Sequence, residues 1–344
     1  MQRLKLFLYL IPFAILLLCC GCDSTPYLIQ LAWHQALVAY HSVPVQDVLE
    51  SPSVDPAAKE KIRFIQEVKQ FGEQELGLKK TKNYTTYFEV KGPILHAVTA
   101  CEKDSFRLRT WSFPIVGEVT YKGFFTREDA LLEKRSLEGE GLDTFVQRVG
   151  AYSTLGWLRD PIFSSMLTRS HAALANLILH EMTHATIYFK GETDFNEEVA
   201  TFIGNRGAIA FLSRRYGPDS QEVRMAVEMQ EDDLLFSRWI DHSYERLSSL
   251  YARELPREEK LRQREEIFRS LKEEFKETQG RFKTDSYRGL ERVDLNNATL
   301  MAYRRYVHGL ERFEGLYEDH GRDLRKAVES LKEMRRSGQK PMGS

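Results

Sequence analysis

Two histidines four residues apart, with a glutamate directly after the first, are the side chains of this sequence best placed to do chemistry. They stand as His180, Glu181, Met182, Thr183 and His184, an H-E-x-x-H. On an α-helix positions i and i+4 share a face, so both imidazoles can point at one ion. Glu181 then sits beside the first ligand, positioned to accept a proton from water rather than to bind the metal. A catalytic zinc site also needs a third protein ligand and an open fourth position. Asn196-Glu197-Glu198 opens a further helical pattern downstream, and Glu197 is the candidate ligand. Consecutive helical residues point about 100° apart, so only one of the two glutamates can face the histidines, and periodicity alone admits either.

Several elements must hold these residues. Ser170 can cap a helix from His171 to about Phe189, and Gly191 is a natural stop. Leu174, Leu177, Ile178 and Leu179 make that helix largely buried, where two histidines and a glutamate would be costly without partners. A second helix is predicted from Asn196 to about Tyr216, turning at Gly217-Pro218. Upstream, Tyr27 to Tyr40 reads as a buried helix with His34 as a core or groove residue. Ala57 to Leu76 reads as an amphipathic helix that ends near Gly77. Between them and the motif, TYFEV, GPILHAVTA, FRLRTW and PIVGEVTYKGFF are short β-branched and aromatic runs that predict a three- or four-stranded sheet. FRLRTW alternates, with Phe106 and Leu108 opposite Arg107 and Arg109. An edge of such a sheet can pair with an extended peptide.

A short helix at Ala130–Gly139 and a strand in GLDTFVQRVG lead to the loop Ala151 to Ser164, which offers Tyr152, Ser153 and Trp157 to a substrate. Beyond the motif, Val223 to Tyr251 and Arg257 to Gln279 predict two long charged helices folded back as an arm over about 219–284. Leu290 to Tyr317 returns to mixed helix with Asn296-Asn297 at its start, and residues 334–344 read as a flexible tail. The expected fold is therefore α+β and predominantly helical: a zincin-like metal-site helix pair, a small mixed or antiparallel sheet and a long C-terminal helical hairpin.

Residues 1–22 stand apart. Arg3 and Lys5 precede the apolar run Leu6 to Leu18, followed by Cys19-Cys20-Gly21-Cys22. This is an export signal, too short for a comfortable membrane span. It resembles the bacterial lipoprotein cleavage box, with Cys22 as the acylated residue. Three of the four cysteines lie in it, so beyond Cys22 the mature body keeps only Cys101 and no disulfide partner. Lys+Arg 49 against Asp+Glu 50 gives a near-neutral chain without a nucleic-acid surface.

The segments AYSTLGWLRDP, HEMTHATIYFKGETDFNEEVATFIG and LNNATL together resemble a bacterial lipoprotein family known as putative or predicted aminopeptidases. The resemblance covers nearly the whole chain from Cys22 onward. By motif that family is similar to the gluzincins, zinc peptidases whose third ligand is the Glu of an Asn-Glu pair. It implies His180, His184 and Glu197 as ligands, with Glu181 as catalytic base and Glu198 as a supporting or substrate-amine contact. The spacing between His184 and Glu197 is shorter than in thermolysin-like and major aminopeptidase families. Thr201 stands where thermolysin-like enzymes carry an Asp, and the G-A-M-E-N segment of the largest aminopeptidase family is absent.

The expected function is zinc-dependent peptide-bond hydrolysis of aminopeptidase type on the outer side of a bacterial membrane, with a peptide as substrate. The developing oxyanion needs a donor beside the zinc. Tyr306 is the candidate, with Tyr303, His308 and Tyr152 as alternates. A zinc amidase acting on cell-wall material and a non-catalytic zinc scaffold are the rival classes. Structural zinc usually takes four protein ligands, often cysteines, and none lies near this motif.

Overall fold

The computed structural model describes residues 25–90, 95–113, 117–149, 154–156 and 158–338. The export signal with Cys22, and Tyr152, Ser153 and Trp157, lie outside these residues.

The first helix among the described residues, α1 (Thr25–His41), is followed by the short β1 (Val43–Pro44) and α2 (Val45–Glu50). Tyr27, His34 and Val38 seat α1 on the body: the Tyr27 hydroxyl donates to Gly123 O at 2.7 Å and His34 stacks on Phe125 at 4.9 Å. The opposite side is exposed, which corrects the expectation of a buried helix. Apolar residues run around this helix, and those of one face are the more deeply buried. In α3 (Pro56–Gln74), Asp55 accepts from Ala57 N and a proline occupies the first turn, where its missing N–H costs nothing. Ile62, Ile65 and Val68 recur at helical spacing and are fully buried.

Next come β2 (Thr86–Phe88), β3 (Leu95–Cys101), β4 (Trp111–Phe113), β5 (Gly117–Val119), β6 (Lys122–Phe124), α4 (Arg127–Gly139), β7 (Asp143–Val149) and β8 (Ile162–Phe163). Among the described residues the strands form three small sheets rather than one: β1-β2-β8, β6-β3-β7 and β4-β5. β3 pairs antiparallel with β7 over its full length, from Leu95↔Val149 to Cys101↔Asp143. β2 instead runs parallel to β8, at the entry to the metal-motif helix. The FRLRTW run is not a ladder strand over its first half. Phe106 stacks on Tyr244 at 4.4 Å and only Leu108 bridges to Cys101, while Arg107 and Arg109 stay exposed. Its alternation thus sets which side faces inward, while its pairing with the end of β3 is limited to the bridge around Leu108.

The centre of the molecule is a helix pair, α5 (His171–Thr186) and α6 (Thr193–Tyr216). Ser170 Oγ caps α5 by accepting from Ala173 N at 3.2 Å. The helix stops three residues short of Phe189, and the chain turns at Gly191 with φ of 84°. α7 (Gln221–Tyr251) and α8 (Arg257–Thr278) then fold back on each other, with Trp239 against Phe275 at 5.0 Å and Arg246 paired to Glu274 at 2.6 Å. Their buried Phe236, Ile240, Leu247, Phe268 and Leu271 form a second core, continuous with Leu300 and Val307. The last helices are α9 (Asn297–Val307), α10 (Leu310–Asp319) and α11 (Leu324–Ser337). A left-handed Gly309 breaks the expected single helix between α9 and α10, and α11 continues past Met334 into the stretch expected to be a flexible tail. The fold is predominantly helical α+β, as expected.

Asn296 and Asn297 join the helical half to the β3/β7 sheet. Asn296 caps α9 through its side-chain oxygen, which accepts from Thr299 N at 2.9 Å, while its amide donates to Thr144 O at 3.2 Å. Asn297 is fully buried: its amide donates to Glu102 O at 2.8 Å, its oxygen accepts from Tyr251 at 2.8 Å, and its backbone N–H donates to Asp143 at 3.0 Å. Asp143 is in turn paired with the buried Arg264 of α8 at 2.6 Å. Asn297→Ala strips the partners from a half-buried carbonyl and a half-buried phenol, each worth about 1–2 kcal/mol. Equilibrium unfolding in urea is therefore expected to show a loss of about 2–4 kcal/mol. A midpoint within error of wild type would refute this account of the junction.

Candidate metal centre

Helices α5 and α6 approach closely because small residues stand at their contact. A Cβ added at Gly204 would lie 3.1 Å from Asn176 O and 3.3 Å from His180 Cβ. One at Gly207 would meet Leu179 at 2.7 Å, and one at Gly72 of α3 would meet the same leucine at 3.0 Å. Leu179 is thus wedged between two glycines on either side of the motif helix. Glu197 precedes Gly204 by two helical turns and so shares its face. That register carries Glu197, rather than its neighbour, to the histidines.

His180 Nε2 lies 3.2 Å from Glu197 Oε2, His184 Nε2 lies 3.4 Å from the same oxygen, and the two Nε2 atoms are 3.2 Å apart. With metal–ligand bonds of about 2.0–2.2 Å and tetrahedral angles, ligand atoms stand roughly 3.3–3.5 Å from one another. The three atoms therefore form one face of a tetrahedron, and two imidazoles with one carboxylate suit a divalent ion of zinc type. Among the described residues this is the group of histidine and acidic side chains able to hold a metal. Burial pushes the Glu197 carboxyl up, but the charges and hydrogen bonds of His184 and His180 outweigh it and hold the group well below the usual range. Burial lowers His184, and the Glu197 charge reverses this, leaving it raised. A proton or a cation is thus drawn to the same lone pairs.

Glu181 is nearly buried, and its pKa is raised by burial against the lowering pull of His180 and His184. Tyr84 senses its charge, as does Asp160, whose carboxyl burial pushes up to about 6. Asp160 accepts from Asn83 at 2.9 Å and from Thr154 N at 3.0 Å, fixing the loop in front of α5. Tyr84 holds an unusual φ of 61°, anchored by its N–H to Asp160 O at 2.7 Å and by its carbonyl to Gln66. Such backbone is unfavourable for a bulky residue unless its surroundings dictate it.

The residues flanking Glu197 have separate tasks. Asn196 accepts from Phe189 N at 2.8 Å and donates to Phe189 O at 2.7 Å, clamping the α5–α6 connection. Glu198 turns away from the histidines to Arg312 of α10. Burial raises Glu198 to about 7 despite Arg312 and His308. Its partner is thus an arginine of this chain, which fits the supporting role expected for Glu198.

Tyr306, on α9, packs against the second core, and burial first, then the charge of Glu197, raises its phenol, with Glu181 adding to this. The preceding residue helps fix that helix. Arg305 is buried, with Nε 3.4 Å from Asp194 of α6, an amine 3.3 Å from Thr120 O and the guanidinium 4.9 Å from the Tyr121 ring centre. The alternates fare differently. Tyr303 is held between Phe145 at 5.7 Å and Phe236 at 5.5 Å, within the second core. His308 donates from Nδ1 to Asp241 at 2.7 Å and accepts at Nε2 from Arg304 at 2.8 Å. Tyr152 lies outside the described residues. Tyr121 and Tyr188 were not singled out from sequence, yet both phenols are raised by burial and then by the Glu197 charge. Tyr121 sits in a run that reads only as strand, and neither tyrosine has a spacing signal.

The family described as "Putative aminopeptidase" matches residues 26–341, and the chain belongs to that family. No curated protein and no solved structure matches it.

Metal analysis after mild dialysis separates the two adjacent glutamates. Glu197→Ala removes one corner of the ligand triangle and is expected to lose the ion, while Glu198→Ala, folded, keeps it. Retention by the first and loss by the second would reverse the assignment.

Proposed function

We propose that this member of the family is a zinc metallopeptidase that hydrolyses peptide bonds in the manner of an aminopeptidase. His180, His184 and Glu197 would hold the ion and Glu181 would serve as the base. The ligand triangle of 3.2–3.4 Å beside an unligated, buried glutamate is the observation that carries this reading. The α5/α6 pair is read as zincin-like, and the Asn-Glu arrangement as of gluzincin type. The family's description supports a peptidase. Cys22 is read as an acylated residue that anchors the enzyme on the outer side of a bacterial membrane.

When bound, zinc supplies Lewis acidity that lowers the pKa of water to about 7 and polarises a carbonyl. The remaining tasks belong to the chain. The Glu181 carboxylate takes a proton from the attacking water and returns it to the departing amine. Its low-dielectric setting strengthens both transfers. The Tyr306 phenol, kept protonated by burial and by the Glu197 charge, donates to the oxygen on which negative charge develops. Arg305 and its partners on α6 hold that phenol's helix in place. Asn196 and the Glu198–Arg312 pair keep Glu197 at its register.

Glu181→Gln preserves shape but cannot accept the proton, so the zinc-loaded variant is expected to lose about 10²–10⁴ in turnover with metal content unchanged. An unbiased peptide mixture read by mass spectrometry, with and without chelator, is the assay. Products shortened from the free amino end support the aminopeptidase reading, and full activity in the zinc-loaded variant would sink the hydrolase itself.

Tyr306→Phe is expected to lower kcat by about 10²–10³ with little change in KM, because an oxyanion donor acts mainly in the transition state. An unchanged kcat would move that role to Tyr121 or Tyr188.

A further inference from the structure

Helix α1 carries no lysine, arginine, aspartate or glutamate over its 17 residues. At about 100° per residue, Tyr27, His34 and Val38 fall within roughly 40° of one another, and these are the residues that seat the helix on the body. Ile29, Trp33 and Tyr40 fall within a second arc of about 40°, on the opposite side. They are 38%, 56% and 57% exposed. A surface helix of a water-soluble protein normally turns charged and polar side chains outward. Here an isoleucine, a tryptophan and a tyrosine stand there instead. Gln30 donates to Asp129 of α4 at 2.7 Å, and Leu132, one turn further along α4, is 57% exposed beside it.

We infer that this face of α1 rests in the surface of a lipid bilayer and sets the orientation of the protein on the membrane. Three features of the chain favour lipid as the occupant. First, the apolar run Leu6 to Leu18 and Cys22 immediately precede α1, and the step from Cys22 to Thr25 spans at most about 10 Å. Second, tryptophan and tyrosine carry an apolar body and a polar tip, the combination that concentrates at membrane interfaces. Third, no helix among the described residues is long and apolar enough to cross a membrane, so α1 would lie flat, about 25 Å long, with the protein body in place of a polar face. The source of the lipid rests on the proposed anchor at Cys22; the exposed stripe does not.

The test uses the full chain in phosphatidylethanolamine/phosphatidylglycerol vesicles, made either plain or with acyl chains brominated near the headgroup. Bromine quenches only tryptophans that enter the bilayer. Quenching of the wild-type emission is expected, and Trp33→Phe, which keeps the apolar bulk, should abolish it. Ile29→Ser with Tyr40→Ser should weaken it severalfold. Intact mass reads acylation of Cys22 separately, so failure of the anchor is told apart from failure of the stripe. Quenching that is absent, or that is equal in wild type and Trp33→Phe, overturns the inference whether or not Cys22 is acylated. So does a Trp33-dependent dimer in sedimentation that persists with vesicles present, since it would assign the face to a second copy.

Discussion

The site depends on how closely two helices can approach. Glu197 on α6 must reach two imidazoles on α5, and the carboxylate has no room for error once it is buried. An isolated carboxylate inside a protein is strongly unfavourable, and only the opposing donors make it tolerable. Gly204 and Gly207 permit the approach by leaving α6 without a Cβ where Asn176, Leu179 and His180 press against it. A buried polar chain fixes the same contact further along: Asn176 donates to Asn205, Asn205 to Asp233 at 3.0 Å, and Tyr287 to the same carboxylate at 2.6 Å. The hairpin arm is tied to the metal helices through that network and is not merely a solvated appendage.

Around the helix pair, the remaining elements act mainly by constraining it. Asn196 shapes the connection, and Arg312 engages Glu198, which is turned away from the histidines. Arg305 links α9 to α6 and to the Tyr121 segment. The β3/β7 sheet then has a task that differs from simple backing of the motif helix. Through Asp143, Glu102 and Thr144 it grips Asn296 and Asn297, and so fixes the start of the helix that carries Tyr306.

The sequence by itself determined the motif helix, because H-E-x-x-H spacing, the Ser170 cap and the apolar neighbours are all local signals with a fixed period. It likewise determined the predominantly helical α+β class, the arm and the start of α9 at Asn296-Asn297. It left Glu197 and Glu198 open by periodicity, with the resemblance to Asn-Glu peptidases pointing to Glu197. Only the tertiary structure set the register of α6 on α5, since the glycines that allow it are informative only once their neighbours are known. Tertiary contacts also separated the strands into three sheets, because short runs take whichever partner the packing brings near. They turned one side of α1 outward, and they brought Tyr84 within reach of the Glu181 charge and Tyr121 within reach of the Glu197 charge. Those last contacts join residues far apart in the chain, and no local period records a distance of that kind.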